Sequence, residues 1–269
     1  QAFFCGDGTG VGKSRTAAGI ILDNYYKGRK KSVFLTKNKK LIEDFAELLE
    51  KLDPSIPVAR LEKYDLDKEI PSDFEGVLLL TYGLMATSYN AGENTSPRLE
   101  QIHKWLGDQT EFDGPILLDE SHMLGNSTET KGQRGAKAPS KQGMAGVGFT
   151  NKYNDARVVY LSATGATTLN NLGYAGARLG IWGSETQFRN SEQFYDDITA
   201  AGMSGLEIVA QDLKARGLYL SRTLSMKEVD VREPLVHELS NNELAMYDRI
   251  ADQWLKVSQR MDVVLADMI

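Results

Sequence analysis

Glycines recur between Gly6 and Gly12, and a lysine and a serine, Lys13 and Ser14, follow them directly. Because glycine has no Cβ, such a run lets the backbone curl around a phosphate and point several N–H groups at it. The next residues predict a helix, whose N-terminus adds aligned dipoles at the same place. Lys13 can reach the β and γ phosphates of a nucleotide, and the Ser14 hydroxyl can bind Mg²⁺. The run therefore predicts a site for a nucleoside triphosphate.

This run departs at one position from the phosphate-binding pattern G-x-x-x-x-G-K-[ST]. Asp7 stands where the pattern has its first glycine, and Gly6 lies one residue too early. The other glycines remain, so we keep the prediction of a phosphate-binding loop; a glycine-rich turn with an incidental lysine is the alternative. The predicted nucleotide contacts are Gly8, Thr9, Gly10, Val11, Gly12, Lys13, Ser14 and Arg15.

Two adjacent carboxylates, Asp119 and Glu120, follow the apolar run 116–118. Ligands bind at the carboxyl edge of a doubly wound sheet, so a strand that ends here would present both groups to a nucleotide. Asp119 is predicted to hold Mg²⁺ together with Ser14, and Glu120 to polarise the attacking water. Lys13, Asp119 and Glu120 are thus the predicted catalytic residues. A polar strand boundary without chemistry is the alternative.

The elements that must position these residues alternate between short apolar runs and helical periodicity. Continuous apolar runs are typical of strands buried on both faces of a parallel sheet. We therefore expect an α/β fold with a doubly wound, mostly parallel sheet over residues 1–165. The predicted strands cover residues 3–5, 32–36, 58–60, 77–81, 116–119 and 158–162. The predicted helices in this part cover residues 12–26, 41–52, capped by Asn38, and 99–106.

The remaining segments differ in character. Residues 125–148 are small and polar, with no acid after Glu129, and predict a mobile loop that is either a solvated insert or faces nucleic acid or a partner. Beyond residue 164 the predicted helices cover 167–177, 192–201, 206–217 and 241–269, and the predicted strands cover 218–220 and 229–231. The expected domains are a nucleotide-binding domain over 1–165, an extension over 166–235, and the start of a helix or linker over 236–269.

Composition excludes several classes of protein. The 269 residues include 31 Lys and Arg against 37 Asp and Glu, and one Cys, which cannot form an internal disulfide. No apolar run approaches the ~18 residues of a membrane span. The net charge of −6 argues against a basic coat for nucleic acid but permits a local binding groove. A globular protein of a reduced, cytoplasmic compartment is expected, and the opening at Gln1 without a methionine indicates a piece of a longer polypeptide.

Three motifs, GDGTGVGKS, LLDESH and LSATG, occur in this order. They resemble the Walker A, DExH and SAT motifs of the superfamily 2 helicase core. Longer blocks, ARVVYLSATGA and GLEIVAQDLKARGLYLSRTLS among them, resemble the Strawberry notch family of helicase-like ATPases over essentially the whole chain. The resemblance implies a RecA-like P-loop NTPase domain with a helical C-terminal extension, which hydrolyses ATP with Mg²⁺ and moves on DNA or RNA.

The resemblance also implies roles for residues outside the phosphate loop. Ser162 and Thr164 would couple hydrolysis to domain movement, and His122 would face a partner domain. The implied nucleic-acid contacts are Thr36, Lys37, Asn38, Thr81 and Tyr82. Plain strand ends are the alternative for Thr36 and Thr81.

The implied partners are nucleic acid and a second RecA-like domain of the same polypeptide. Nothing in the chain matches that second domain, so we expect weak ATP binding and slow turnover from the chain alone. A bacterial, phage or mobile-element source would place the protein in the cytoplasm, and a eukaryotic source in the nucleus. The alternatives are a non-catalytic scaffold with a motor fold, a GTPase or a small-molecule kinase. Residues 151–154, Asn-Lys-Tyr-Asn, lack the Asp of the usual guanine-reading motif.

Overall fold

The computed structural model describes residues 1–127, 130–132, 135–164, 172–183, 186–224 and 238–266. Contacts divide the chain into two units, Gln1–Leu224 and Ser225–Ile269. The first unit holds the main sheet and all the site residues predicted above. In the second unit the described residues are mainly one helix, Asn241–Ala266, as predicted from the periodicity.

Seven strands form one sheet, and all its described pairings are parallel. They are β1 (Ala2–Cys5), β2 (Ser32–Thr36), β3 (Val58–Arg60), β4 (Val77–Thr81), β5 (Pro115–Asp119), β8 (Arg157–Leu161) and β9 (Tyr219–Leu220). Their order in the sheet is β3-β4-β2-β5-β8-β1-β9. The strands β6 (Thr130–Gly132) and β7 (Gly135–Lys137) form a separate antiparallel pair. The predicted α/β fold with a doubly wound, mostly parallel sheet is confirmed.

Helices follow the strands and return along the sheet. They are α1 (Lys13–Tyr26), α2 (Lys39–Leu52), α3 (Tyr82–Met85), α4 (Pro97–Leu106), α5 (Lys141–Lys152), α6 (Gly176–Leu179), α7 (Ser191–Ala215) and α8 (Asn241–Ala266). The predicted cap of α2 is confirmed, because the Asn38 side chain accepts a hydrogen bond from the Leu41 amide at 3.1 Å. Such caps satisfy amides that a helix leaves unpaired at its first turn.

The core lies on both faces of the sheet. Leu117 belongs to the hydrophobic cluster on one face and its neighbour Leu118 to the cluster on the other, and both are fully buried. All five residues of β2 are likewise buried. Alternate side chains of a strand point to opposite faces, so a strand covered on both sides is apolar on both of them, as residues 33–35 of β2 are. This is the physical reason that the short apolar runs identified the strands.

The structure differs from the expectation of one polar loop over residues 125–148. Helix α5 begins at Lys141, capped by the Ser140 hydroxyl, which accepts from the Gly143 amide at 3.0 Å. Gly146 is buried against Leu124, whose Cδ2 would lie only 2.5 Å from a Cβ at this position. The small residues that suggested a loop instead allow a helix to pack closely. Residues 128, 129, 133 and 134 lie outside the described part.

The compact unit also extends beyond the predicted boundary at residue 165, because β9 pairs with β1 at the edge of the sheet. The helix predicted over 192–201 falls within α7, and the one predicted over 206–217 extends two residues past its end at Ala215. Helix α7 is interrupted at Gly202 by a non-helical conformation, φ 63° and ψ −142°. The strand predicted over 218–220 is β9. Residues 165–171 and the predicted strand 229–231 lie outside the described residues. No helix in the described part of the chain is long and apolar enough to cross a membrane.

Candidate functional site

Three strand ends bring the predicted site residues to one edge of the sheet. Asp119 ends β5 and is level with Leu161 of β8, which in turn is level with Cys5 at the end of β1. Neighbouring strands are ~4.8 Å apart, so the Cα atoms of Asp119 and Cys5 are about 10 Å apart. The loop after Cys5 and the carboxylates after β5 therefore share the carboxyl edge, where ligands bind in doubly wound sheets.

The glycine-rich loop has a backbone suited to an anion. Gly10 and Gly12 have φ angles of 84° and 107°, in the region that favours glycine. Gly12 precedes α1, and no side chain caps this helix, whereas α2, α4, α5 and α7 each begin with a side-chain cap. The first turn of α1 thus presents amide groups and the positive end of the helix dipole. Thr9, Ser14 and Arg15 are exposed beside it, and Val11 is half-buried.

Lys13 lies along the inside of this loop. Its Nζ donates to the carbonyl oxygens of Asp7 at 2.9 Å and of Gly8 at 3.2 Å. The Lys13 charge is also near enough to Asp119 to lower the pKa of that carboxyl, although burial, the larger effect, raises it. The loop lysine and the strand-end carboxylate therefore lie near each other at the carboxyl edge.

Asp119 is held by two buried side chains. The Thr36 hydroxyl donates to Asp119 Oδ2 at 2.8 Å, and the Tyr82 hydroxyl donates to the Asp119 carbonyl at 2.8 Å. Burial raises the pKa of Asp119 above its ordinary value, while the hydrogen bond from Thr36 opposes that change. A desolvated carboxylate gains more than an exposed one from a nearby cation. Mg²⁺ takes one or two protein oxygens in addition to phosphates, so the Asp119 carboxylate and the Ser14 hydroxyl fit this ion.

Glu120 begins a chain of polar contacts that crosses to the end of β8. Its backbone is left-handed, φ 50°, which is uncommon for a residue other than glycine. His122 Nδ1 lies 3.2 Å from Glu120 Oε2 and 3.2 Å from Ser162 Oγ. Ser162 Oγ lies 3.2 Å from Thr164 Oγ1. The predicted water-activating and coupling residues are thus physically connected.

Comparison with known proteins identifies the family of this chain. A family model described as "P-loop containing NTP hydrolase pore-1" matches residues 1–249. Strawberry notch homolog 2 of Mus musculus is 40% identical over 253 residues, which cover 94% of this chain and 18% of that protein. The chain belongs to the Strawberry notch family. Protein FORGETTER 1 of Arabidopsis thaliana is 37% identical over 259 residues, 95% of this chain and 19% of that protein. The chain thus spans about a fifth of the length of these relatives.

The solved structures show the same fold for this Strawberry notch domain. The Sulfolobus solfataricus SWI2/SNF2 ATPase core in complex with dsDNA superposes with a TM-score of 0.54 at 14% identity, over 82% of this chain and 40% of that one. At this identity the likeness establishes the fold alone. With the family match, it establishes a RecA-like P-loop NTP hydrolase domain.

Two of the implied nucleic-acid contacts are buried in the structure, and their contact with nucleic acid remains a prediction. Thr36 and Tyr82 are 0% and 1% exposed, and their hydroxyls are used to hold Asp119. Thr81 is half-buried and caps α3 by accepting from the Leu84 amide at 3.2 Å. Lys37 and Asn38 are exposed at the carboxyl edge, and their contact with nucleic acid remains a prediction.

Gly8, a predicted nucleotide contact, has an amide that donates to the Arg222 carbonyl at 2.8 Å. Arg222 itself, and its contacts with Asp7, were missed by the sequence reasoning. The one available signal was the replacement of a glycine by Asp7 in the phosphate-binding pattern.

Proposed function

We propose that this chain is the ATP-binding half of a nucleic-acid-dependent ATPase of the helicase or translocase type. The observation that carries the proposal is the meeting of the uncapped first turn of α1 with Lys13, Asp119 and Glu120 at one sheet edge. Membership of a P-loop NTP hydrolase family supports nucleotide binding. The resemblance to an ATPase core that was solved with dsDNA supports nucleic acid as the partner.

Each site residue has a distinct task in this proposal. The amides at the start of α1 bind the phosphates, and Lys13 leaves its loop carbonyls to neutralise the terminal phosphate. Asp119 and Ser14 would hold Mg²⁺, which would supply positive charge beside the phosphate oxygens. Glu120, about one-third exposed, accepts a hydrogen bond from the attacking water and orients it.

The contacts between Glu120, His122 and Ser162 connect the site of hydrolysis to the residues that follow β8. Loss of the γ-phosphate changes the contacts of Glu120. Because His122 contacts both Glu120 and Ser162, a movement of Glu120 is transmitted through His122 to Ser162 and Thr164, which follow β8. We propose that a second RecA-like domain of the same polypeptide contacts these residues and moves in response. Because this chain spans about a fifth of its relatives, the motor as a whole is part of the proposal.

The alternatives receive less support from the structure. The Asn-Lys-Tyr-Asn sequence at 151–154 lies at the end of α5, away from a strand end, and Tyr153 is fully buried with its hydroxyl 2.7 Å from His103 Nδ1. It is therefore a packing element rather than a guanine-reading motif. A scaffold without catalysis would not need a buried carboxylate to be held beside a phosphate loop, as Asp119 is.

Calorimetric titration of the chain with ATP in the presence of Mg²⁺ tests the proposal. We expect weak binding that is lost in Lys13→Ala and kept in Lys27→Ala, a matched exposed lysine of the same helix region. Hydrolysis should be slow, and Glu120→Gln should abolish what is present, while Glu43→Gln, on the surface of α2, should not. Binding that is indifferent to Lys13→Ala, or a preference for GTP, would refute the proposal. Robust DNA-stimulated hydrolysis by the chain alone would refute the need for a second domain.

A further inference from the structure

The segment that follows α7 lies directly behind the phosphate loop. The amides of Phe4, Gly6 and Gly8 donate to the carbonyl oxygens of Leu218, Leu220 and Arg222, at 2.8, 2.6 and 2.8 Å respectively. This every-second-residue pattern is that of a parallel ladder, and it runs past β1 into the loop itself. The Ser221 hydroxyl adds a hydrogen bond to the Gly6 carbonyl at 3.1 Å. Residues 218–222 therefore form a wall of the nucleotide site.

Asp7 and Arg222 form the strongest contact between this wall and the loop. Asp7 is 0% exposed, and its Oδ1 accepts from the Arg222 amide at 2.9 Å. The Arg222 Nε donates to both Asp7 carboxylate oxygens at 3.1 Å, and its Nη2 donates to Oδ2. Such a two-oxygen contact is specific to the planar guanidinium. These hydrogen bonds are the largest influence on Asp7, and they lower the pKa of its carboxyl.

This ion pair bears directly on nucleotide binding for two reasons. The carbonyl of Asp7 is a partner of the Lys13 Nζ, so the orientation of Asp7 sets where the lysine lies before a nucleotide binds. In addition, an unpaired carboxylate in the phosphate loop would repel the phosphates across a partly solvated site. Arg222 cancels that charge from the segment that follows β9.

We infer that Arg222 is a positioning residue of the nucleotide site, which neutralises and orients Asp7 so that the loop binds a nucleoside triphosphate. This inference rests on the proposed function. It assigns residues 218–222, which lie in the predicted extension, to the ATP site. It also explains why an acid can replace the first glycine of the pattern.

The test is a set of Kd values for Mg²⁺·ATP, measured by calorimetry on the whole chain at temperatures where each variant is folded. For Arg222→Ala we expect affinity to fall roughly ten- to fiftyfold, the effect of one uncompensated charge at ~7–10 Å in a partly solvated site. The fall should be smaller for ADP, which carries less charge. The double variant Asp7→Asn, Arg222→Ala removes the charge and should recover most of the lost affinity.

Two further variants keep the result interpretable. Arg29→Ala breaks another arginine–aspartate pair, with Asp113, at the opposite end of the sheet from the loop; it should lower stability and leave the Kd unchanged. Arg222→Lys cannot reproduce the two-oxygen contact and should give an intermediate Kd, a readout that remains if Arg222→Ala does not fold.

The outcomes separate the inference from the proposed function. Wild-type affinity in Arg222→Ala, or no recovery in the double variant, would overturn the inference while the wild-type chain still binds ATP. Absence of ATP binding by the wild-type chain would instead refute the proposed function and with it the inference.

Discussion

Replacing Thr36 with valine tests whether this residue positions Asp119 or contacts nucleic acid. Thr36 is fully buried, and its hydroxyl donates to Asp119 Oδ2 at 2.8 Å. Valine keeps the shape of the side chain and removes the donor. A hydrogen bond to a charged group contributes about 1.5–3 kcal/mol, against about 0.5–1.5 kcal/mol between neutral groups. At neutral pH we therefore expect Thr36→Val to lower the free energy of unfolding by about 1.5–3 kcal/mol.

Urea unfolding followed by tryptophan fluorescence measures this loss, because Trp105 is buried in the same compact unit. A loss of this size moves the midpoint by on the order of 1 M. In an Asp119→Asn background the partner is neutral, so the same substitution should lower the free energy of unfolding by only about 0.5–1.5 kcal/mol. Thr36→Ser keeps the hydroxyl and is the matched control, which should preserve the dependence on Asp119.

An equal loss in the two backgrounds would refute the reasoning, because the effect would then not depend on the charge of Asp119. So would unchanged stability in Thr36→Val together with weaker binding of an oligonucleotide. That second result would restore the nucleic-acid contact that the family resemblance implies for Thr36.

Two further predictions concern the loop and the carboxylate. Gly12→Ala places a side chain at φ 107°, so it should lower the free energy of unfolding by about 1–3 kcal/mol and weaken ATP binding. Gly19→Ala, at an exposed position within α1, should instead raise the free energy of unfolding by about 0.5–1 kcal/mol and leave ATP binding unchanged. Thermal unfolding and calorimetry measure both variants, and equal effects would contradict the role of the φ angle. Burial raises the pKa of Asp119, so its ionised form disfavours folding, and this cost grows as pH rises from the ordinary carboxyl value through the raised pKa. Without Mg²⁺, Asp119→Asn should therefore raise the free energy of unfolding at pH 7 and lose this advantage near pH 4 and below; a gain that does not vary with pH would contradict the assignment.

The sheet was predictable because its strands are covered on both faces. In β2 the sequence Ser-Val-Phe-Leu-Thr has no exposed position, and Asn38 marks the start of the next helix with a side-chain cap. These signals are local, because a buried strand is a run of consecutive apolar residues and a capping residue stands directly before its helix. The same locality made the phosphate loop and the carboxylates at the end of β5 visible without a structure.

The features that escaped prediction depend on contacts between distant residues. Gly146 suggests a loop when taken alone, and its helical role depends on Leu124 beside it. Tyr82 lies at the edge where nucleic-acid contacts were expected, but its hydroxyl turns inward to the Asp119 carbonyl. The pairing of Asp7 with Arg222 joins residues 215 positions apart. No local pattern could have indicated these partners.

The Asp7–Arg222 pair also changes how the motor motifs relate to the family extension. An aspartate in the phosphate loop is unfavourable by itself, and its burial makes it more so unless a cation is fixed beside it. Arg222 is fixed there because residues 218–222 add to the sheet beside β1 and continue along the loop. The aspartate that replaces the first glycine of the pattern is therefore paired with an arginine from the segment that follows the SAT motif. A shift of residues 218–222 would therefore move the guanidinium that pairs with Asp7 in the phosphate loop.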